Sequence, residues 1–267
     1  MVANIDRQKV RDSFHRQAAD YDGYAVVQRA VVERLLATLR AEGECPARLL
    51  DVGAGTGRLL AKLRELYPAA VAVGADLALG MCRAASLRLA DAGVQLVNAD
   101  AERLPFAAGS FDLVLSTSTF QWLSSLDLAF AEVKRVLSPG GLFCFALFGE
   151  KTLFELRESY KAVLKGGEDR SHSFFSQADV LSALQRADFS EPRASSEMEV
   201  ELHPDVPGLL RSLKRIGAGS AATATVRGLS ERRVMLDMME VYRQNFGHEG
   251  AIPASYQVIY GLGRNPA

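Results

Sequence analysis

The stretch that most narrows what this chain can become is Leu49-Leu50-Asp51-Val52-Gly53-Ala54-Gly55-Thr56-Gly57. An apolar run ends in a carboxylate, three glycines alternate, and an amphipathic segment begins at Arg58. The pattern predicts a strand, a tight turn and a helix N-terminus. Without a Cβ, Gly53, Gly55 and Gly57 can take positive φ and let a ligand lie against bare backbone. The following helix would turn its N–H groups and positive dipole end toward that ligand. The spacing is G-x-G-x-G, not the G-x-G-x-x-G of pyrophosphate-binding turns. Asp51, two residues before the first glycine, would repel a pyrophosphate and accept a cation.

A second apolar run, Val71 to Asp76, also ends in an acid, at the position where a ribose diol is gripped in such folds. Turn and acid together point to an adenosine-containing cofactor. S-adenosylmethionine, with an ammonium and a sulfonium, meets the demand that Asp51 makes. Strands at 48–52, 70–76, 94–98, 111–116 and 142–148 alternate with helices at 57–67, 78–91 and about 126–137. That alternation predicts an α/β fold with a doubly wound, Rossmann-like parallel sheet. Ligands then bind beyond the carboxyl ends of the strands, at the switch point. Asp51, Asp76, Asp100 and Ser116 all fall at such ends. Asp100 is a candidate to accept from an adenine amino group, with the Ala101 backbone facing the ring; Asp112 reads better as a tie for a loop.

Composition excludes several classes. At 267 residues, 48% hydrophobic and 24% charged, the chain can bury a sizeable core, and a net charge of −1 gives no global pull toward nucleic acid or membrane. Cys45, Cys82 and Cys144 lack C-x-x-C spacing, and His15, His172, His203 and His248 are scattered, so neither a disulfide framework nor a metal site is expected. No targeting or membrane-spanning run is apparent, and reduced thiols suit the cytoplasm.

Outside the core, an amphipathic helix over about 6–22 carries Val10, Phe14, Ala18 and Tyr21 on one stripe, and a second helix runs from Val26 to about Ala41. Thr152-Leu153-Phe154-Glu155 fits a capping box, closed later by Gly166-Gly167, and Ser176 caps a further helix. Residues 195–202 alternate like a strand. In 204–218, Leu209, Leu210, Leu213 and Ile216 fall on one helical face and Arg211, Lys214 and Arg215 on the other. Residues 217–222 are small, as a moving lid requires. Ser230 caps a last helix, and residues from Ser255 to Gly261 close the sheet.

These features carry a resemblance. Residues 50–57, Asp76, Asn98 to Phe106, Phe111 to Val114 and Leu137 to Gly141 resemble the ordered motifs of class I S-adenosylmethionine-dependent methyltransferases. Phe14, Ala18, Ala19 and Tyr21, then Gln28-Arg29, Gln121-Trp122, the string Leu210 to Ala218 and Tyr256 resemble one branch, the malonyl-[acyl-carrier protein] O-methyltransferases of biotin synthesis. The resemblance implies a single methyltransferase domain over 1–267. Within it lie an N-terminal helical lid (1–44), a cofactor-binding core (45–203), a helical lid insertion (204–252) and a final strand (253–264). It implies S-adenosylmethionine, leaving as S-adenosylhomocysteine, held by Asp51, Gly53, Ala54, Gly55, Gly57, Asp76, Leu77, Asp100, Ala101, Ser116 and Gln121. The methyl would go to the free carboxylate of a malonyl thioester on an acyl-carrier protein. Because that carboxylate is already ionised, no general base is required. Tyr21 would position the nucleophile, Arg211 would hold the carboxylate or carbonyl, Trp122 would face the substrate, and Lys214 and Arg215, joined by Arg227, Arg232 and Arg233, would meet the acidic carrier. Competing readings are methylation of another small acid or hydroxyl, a cofactor-binding assembly factor or arginine hydroxylase, and a nicotinamide dehydrogenase, which the glycine spacing and Asp51 oppose.

Overall fold

The computed structural model describes residues 6–164, 173–219 and 230–267. Gly166-Gly167, His172, the 220–222 end of the small run, and Arg227 lie outside the described residues. Three helices precede the sheet: α1 (Arg7–Gln17), the short α2 (Tyr21–Tyr24) and α3 (Val26–Glu42). The core follows as β1 (Arg48–Val52), α4 (Arg58–Leu66), β2 (Val71–Asp76), α5 (Leu79–Arg88), β3 (Gln95–Asn98), β4 (Phe111–Thr117), α6 (Asp127–Val136) and β5 (Leu137–Phe148). Then come α7 (Phe154–Val163), α8 (Gln177–Arg186), β6 (Ser190–His203), α9 (Val206–Arg215), α10 (Ser230–Phe246) and β7 (Ile252–Arg264). The seven strands lie in the order β3-β2-β1-β4-β5-β7-β6. β1 to β5 run parallel, and β7 enters antiparallel between β5 and the edge strand β6.

Alternate residues of the central strands feed two apolar layers, as the period of a strand covered on both faces requires. Leu49, Leu113, Leu142 and Cys144 pack with α3 and α4, whereas Leu50, Val114, Phe143 and Phe145 pack with α6 and α8. The order reverses beside β1, and pairing of Asp51 with Gly74 and Leu115 brings the ends of β1, β2 and β4 to one rim. That rim is the crevice where α/β sheets take ligands.

Two local expectations are corrected. β5 begins at Leu137, five residues ahead of the expected start at Leu142, because Leu137 pairs with Phe111 before a register shift. Thr152 and Glu155 form no capping box. Leu153 is the N-cap of α7, with no side-chain cap, at φ 53° and ψ 37°. The Thr152 hydroxyl instead donates to the Gln257 carbonyl (3.2 Å), and Glu155 accepts from the Ser255 hydroxyl and N–H. Long-range partners on β7 won over the local cap. The Ser176 box with Asp179 does form. Asp112 ties a loop, accepting from the Ala47 and Arg48 N–H groups at 3.0 and 2.9 Å.

Candidate functional site

The Gly53–Gly57 turn is pinned before any ligand arrives. The Gly53 and Ala54 N–H groups donate to the Ala75 carbonyl at 2.7 and 3.0 Å. The Gly55 N–H donates to Asp76 Oδ2 (2.9 Å), and the Ala78 N–H to Asp76 Oδ1 (2.8 Å). These bonds fix the Asp76 carboxylate on the wall of a cavity at this rim, with Gly53, Gly55, Leu77, Ala78, Asp100 and Ala101 beside it. Burial raises its pKa, and the two N–H groups oppose that rise. A Cβ on Gly55 (φ +55°) would meet only the Gly53 carbonyl oxygen at 4.0 Å, so it would project into the open cradle. Gly57 serves packing: it caps α4 in the left-handed region, and a Cβ there would meet Leu89 at 2.8 Å. Ala54 lines an adjoining recess with Thr56 and Gln28.

Asp51 lies behind this turn, 1% exposed. Neither carboxyl oxygen has a hydrogen-bond partner among the described residues. Burial first, and then the Asp76 charge, push its pKa up to about 8. A buried carboxyl in that state needs a proton or a cation. An ammonium-bearing cofactor supplies the cation, Asp76 presents a fixed acceptor for a diol, and the cradle leaves room for it; the residues present therefore fit S-adenosylmethionine.

Other expected residues are placed differently. Ser116 is buried and donates to the Val52 carbonyl (2.7 Å), a tie between β1 and β4, and it is not among the residues described on the walls of the three cavities at this rim. Ser118 takes its place on the wall, at φ 54°. Asp100 reaches the cavity but is paired: its Oδ1 accepts from Arg7 at 2.5 Å and from the Glu102 N–H at 2.9 Å. Arg7 also pairs with Glu102, which pins α1 across the rim.

The N-terminal segment closes the site. Tyr21 lines three adjoining cavities, as does Ser118. Burial, then the Asp22 and Asp76 carboxylates, push the Tyr21 phenol well above its usual range, and Arg58 opposes them. Next to it, Asp22 is a hub that accepts from Thr56 (3.0 Å), Arg58 (3.1 Å) and Arg88. Desolvation resists, but Arg88, Thr56 and Arg58 hold its pKa below the ordinary carboxylate range. Phe14 stands edge-on to Trp122 at 5.6 Å, and both separate the cofactor cavity from a second one.

That second cavity adds Gln28, Gln121, Phe148, Thr152, Leu153, Phe174, Tyr256 and, from α9 and the residues just after it, Leu213, Ile216 and Ala218. Gln121, expected on the cofactor, is buried here, its amide donating to the Ser118 carbonyl at 2.6 Å. No Asp, Glu, Lys, Arg or His is among the described residues of its wall. Arg211 is not brought to it. Its side chain is 71% exposed and faces Asp205 at 3.9 Å, because Leu209 and Leu213 bury the opposite face of α9. Lys214 is exposed on the same outer face, and Arg215 pairs with Asp20 of the N-terminal segment. Ser118, Arg7 and Asp22 were missed in the sequence. Only Asp22, next to Tyr21 and ahead of Gly23, carried a local signal.

Residues 50–145 match the family model described as a methyltransferase domain. The chain is 56% identical over 265 residues to a malonyl-[acyl-carrier protein] O-methyltransferase of Geobacter sulfurreducens, covering 97% of this chain and 99% of that protein. It is 39% identical over 273 residues to the protein of the same name from Methylovorus sp., covering 98% and 90%. A solved Bacillus halodurans protein shares the fold, with a TM-score of 0.62 at 18% identity over 89% of this chain and 100% of that one.

Proposed function

This chain belongs to the family of malonyl-[acyl-carrier protein] O-methyltransferases, and on that premise we propose that it methylates the free carboxylate of a malonyl thioester on an acyl-carrier protein. The product is a methyl ester, a masked acid of the kind that primes pimeloyl and biotin synthesis. S-adenosylmethionine, when bound, supplies a methyl on a sulfonium, whose C–S bond breaks as S-adenosylhomocysteine forms.

One observation carries the choice of nucleophile: the second cavity is walled by hydroxyls, amides, aromatics and aliphatics, with no acid, base or cation among its described residues. A substrate hydroxyl would need a base there. A carboxylate is ionised at neutral pH and needs none. The missing cation matters too, since a tight ion pair would stabilise the ground-state charge that the transition state loses. Tyr21 remains protonated at neutral pH because its phenol is raised, so it acts as a donor that orients the oxygen. The Phe14–Trp122 pair and α1 exclude water from the junction. We place the malonyl group on Tyr21 and Ser118. The expected hold by Arg211 finds no support in its outward position, and we assign Arg211 and Lys214 to the acidic carrier. Arg215, engaged with Asp20, ties the lid insertion to the N-terminal segment. We assign the reaction to the cytoplasm; among the described residues, no helix is long and apolar enough to cross a membrane.

The test is mass spectrometry of malonyl-acyl-carrier protein incubated with the enzyme and S-adenosylmethionine. The expected result is a gain of one methyl on the malonyl carboxylate, greatly slowed in Tyr21→Phe. Cofactor binding without methylation of the carrier would overturn the substrate and turn attention to other acids.

A further inference from the structure

Leu153 is a leucine where the backbone asks for glycine or asparagine. Its φ of 53° is left-handed, it occupies an N-cap where a short polar side chain is usual, and it caps nothing. It is 3% exposed and lines the second cavity. Strain of this kind persists only where the surroundings over-determine it. Here they do. The Leu153 N–H donates to the Ser255 carbonyl at 2.6 Å. Glu155, itself 1% exposed, grips the same Ser255 through its hydroxyl and its N–H. The Thr152 hydroxyl and the Lys151 N–H are bonded to Gln257 at 3.2 and 3.0 Å. Four groups from Lys151 to Glu155 are strapped to β7, and the residues that could have capped α7 are spent on the strap.

The position of Leu153 within the cavity is informative. The second cavity shares Tyr21, Ser118, Phe14 and Trp122 with the cofactor cavity, so those residues mark the side where the methyl is delivered. Leu153 belongs to the second cavity alone, with Phe148 and Tyr256 as neighbours on that wall. An acyl chain with its carboxylate at Tyr21 and Ser118 is tethered to the carrier at its other end, so any added methylenes have to fit against the rest of this wall, Leu153 included.

We infer that Leu153, held in its left-handed conformation by the Glu155–Ser255 strap, is the wall that limits this enzyme to a three-carbon diacid. Glu155 is then a positioning residue, acting through Ser255 and touching no substrate. The inference rests on the carrier-bound malonyl reading. It gives a role to a buried carboxylate that takes no part in methyl transfer and whose two oxygens both go to one serine.

The experiment compares kcat/KM for malonyl-, succinyl- and glutaryl-acyl-carrier protein in wild type, Leu153→Gly and Glu155→Gln. Glycine suits φ 53°, so Leu153→Gly relieves the strain while opening the wall. The wild type should favour malonyl. One methylene in an apolar pocket discriminates by about 10- to 200-fold, so Leu153→Gly should raise the succinyl-to-malonyl ratio by at least about tenfold. Affinity for S-adenosylmethionine should stay within about twofold of wild type, since Leu153 lies off the cofactor cavity. Glu155→Gln should shift the ratio the same way, by less, through KM for the longer acyl groups more than through kcat. A merely structural role would lower all three activities together and leave the ratios alone. If the wild type methylates malonyl carrier and Leu153→Gly keeps the wild-type ratio, the wall assignment falls and the reaction stands. If the wild type methylates no malonyl carrier, the substrate reading falls and the wall assignment falls with it.

Discussion

Asp51 shows how a single side chain can be poorly suited to the free protein and well suited to the complex. Folding buries its carboxyl without a hydrogen-bond partner and lifts its pKa to about 8. The unfolded chain releases that proton near pH 4, so between about pH 4 and about pH 8 the folded state binds more protons than the unfolded. Stability of the free protein should therefore fall as pH rises through that window, and the fall should be complete above about pH 8. Asp51→Asn should remove this slope and raise the melting temperature at pH 8 by a few degrees, read by calorimetry across pH. The same substitution should weaken S-adenosylmethionine by more than about tenfold, or about 1.4 kcal/mol. Because a cation favours the ionised carboxyl, binding to the wild type at pH 7 should release a proton, visible as a buffer-dependent heat in titration calorimetry. Tyr21 makes a contrasting prediction. With its phenol raised, it donates and does not act as a base, so Tyr21→Phe should lower kcat by about 10- to 100-fold with little change in cofactor affinity. No rate change with pH should arise from Tyr21 itself below about pH 10.

Ahead of α3, residues 6–24 are held to the core in good part by charge. Their apolar seat is small, with Ala18 on Ala78 and Met81 and with Phe14 and Tyr21 packed alongside. Among the described residues, the ionic ties of this stretch to the rest of the chain are Arg7 to Asp100 and Glu102, Asp22 to Arg58 and Arg88, and Asp20 to Arg215. The Asp22 carboxylate is about 70% buried and takes three donors, Thr56, Arg58 and Arg88, so its removal leaves all three without it. Asp22→Asn should cost about 1 kcal/mol of stability, speed hydrogen exchange in α2 and the start of α3, and weaken the cofactor several-fold. Since the folded pKa of Asp22 is lowered, its contribution is present at neutral pH and fades as pH drops through the acidic range. The sequence made the parallel core legible, because apolar runs, glycine turns and strand-end acids are local signals. It also told the buried face of α9 from the exposed one, since Leu209 and Leu213 repeat at helical spacing. What it hid depends on partners remote in the chain. Ser118 sits at positive φ with its N–H bonded to the Ala146 carbonyl of β5. Thr152 and Glu155 looked like a cap until β7, a hundred residues on, supplied Gln257 and Ser255. Arg211 lies on the predicted face, but spacing along a helix does not say what that face looks toward.

For the molecule as a whole, electrostatics leave little room for long-range attraction: the net charge is −1, so an acidic carrier protein is not drawn in by the total. Recognition has to come from a local field. The outer face of α9 supplies one, with Arg211 and Lys214 exposed beside the residues that close the second cavity. Arg232 and Arg233 are exposed on α10, where Arg233 faces Asp237 at 3.9 Å. A carrier seated on the outer face of α9 would stand next to Leu213, Ile216 and Ala218, which line the second cavity. Exposed charges at this distance act through solvent and are screened over about 8 Å at physiological ionic strength. KM for the malonyl carrier should therefore rise steadily as salt increases from about 0.05 to about 0.5 M, with kcat nearly constant. Charge reversal in Arg211→Glu/Lys214→Glu should raise that KM by about tenfold at low salt, flatten its salt dependence and leave S-adenosylmethionine affinity unchanged. A double variant that lowers kcat at saturating carrier instead, with the salt dependence intact, would return Arg211 to the reacting carboxylate. That result would mean that α9 rotates inward when the carrier binds.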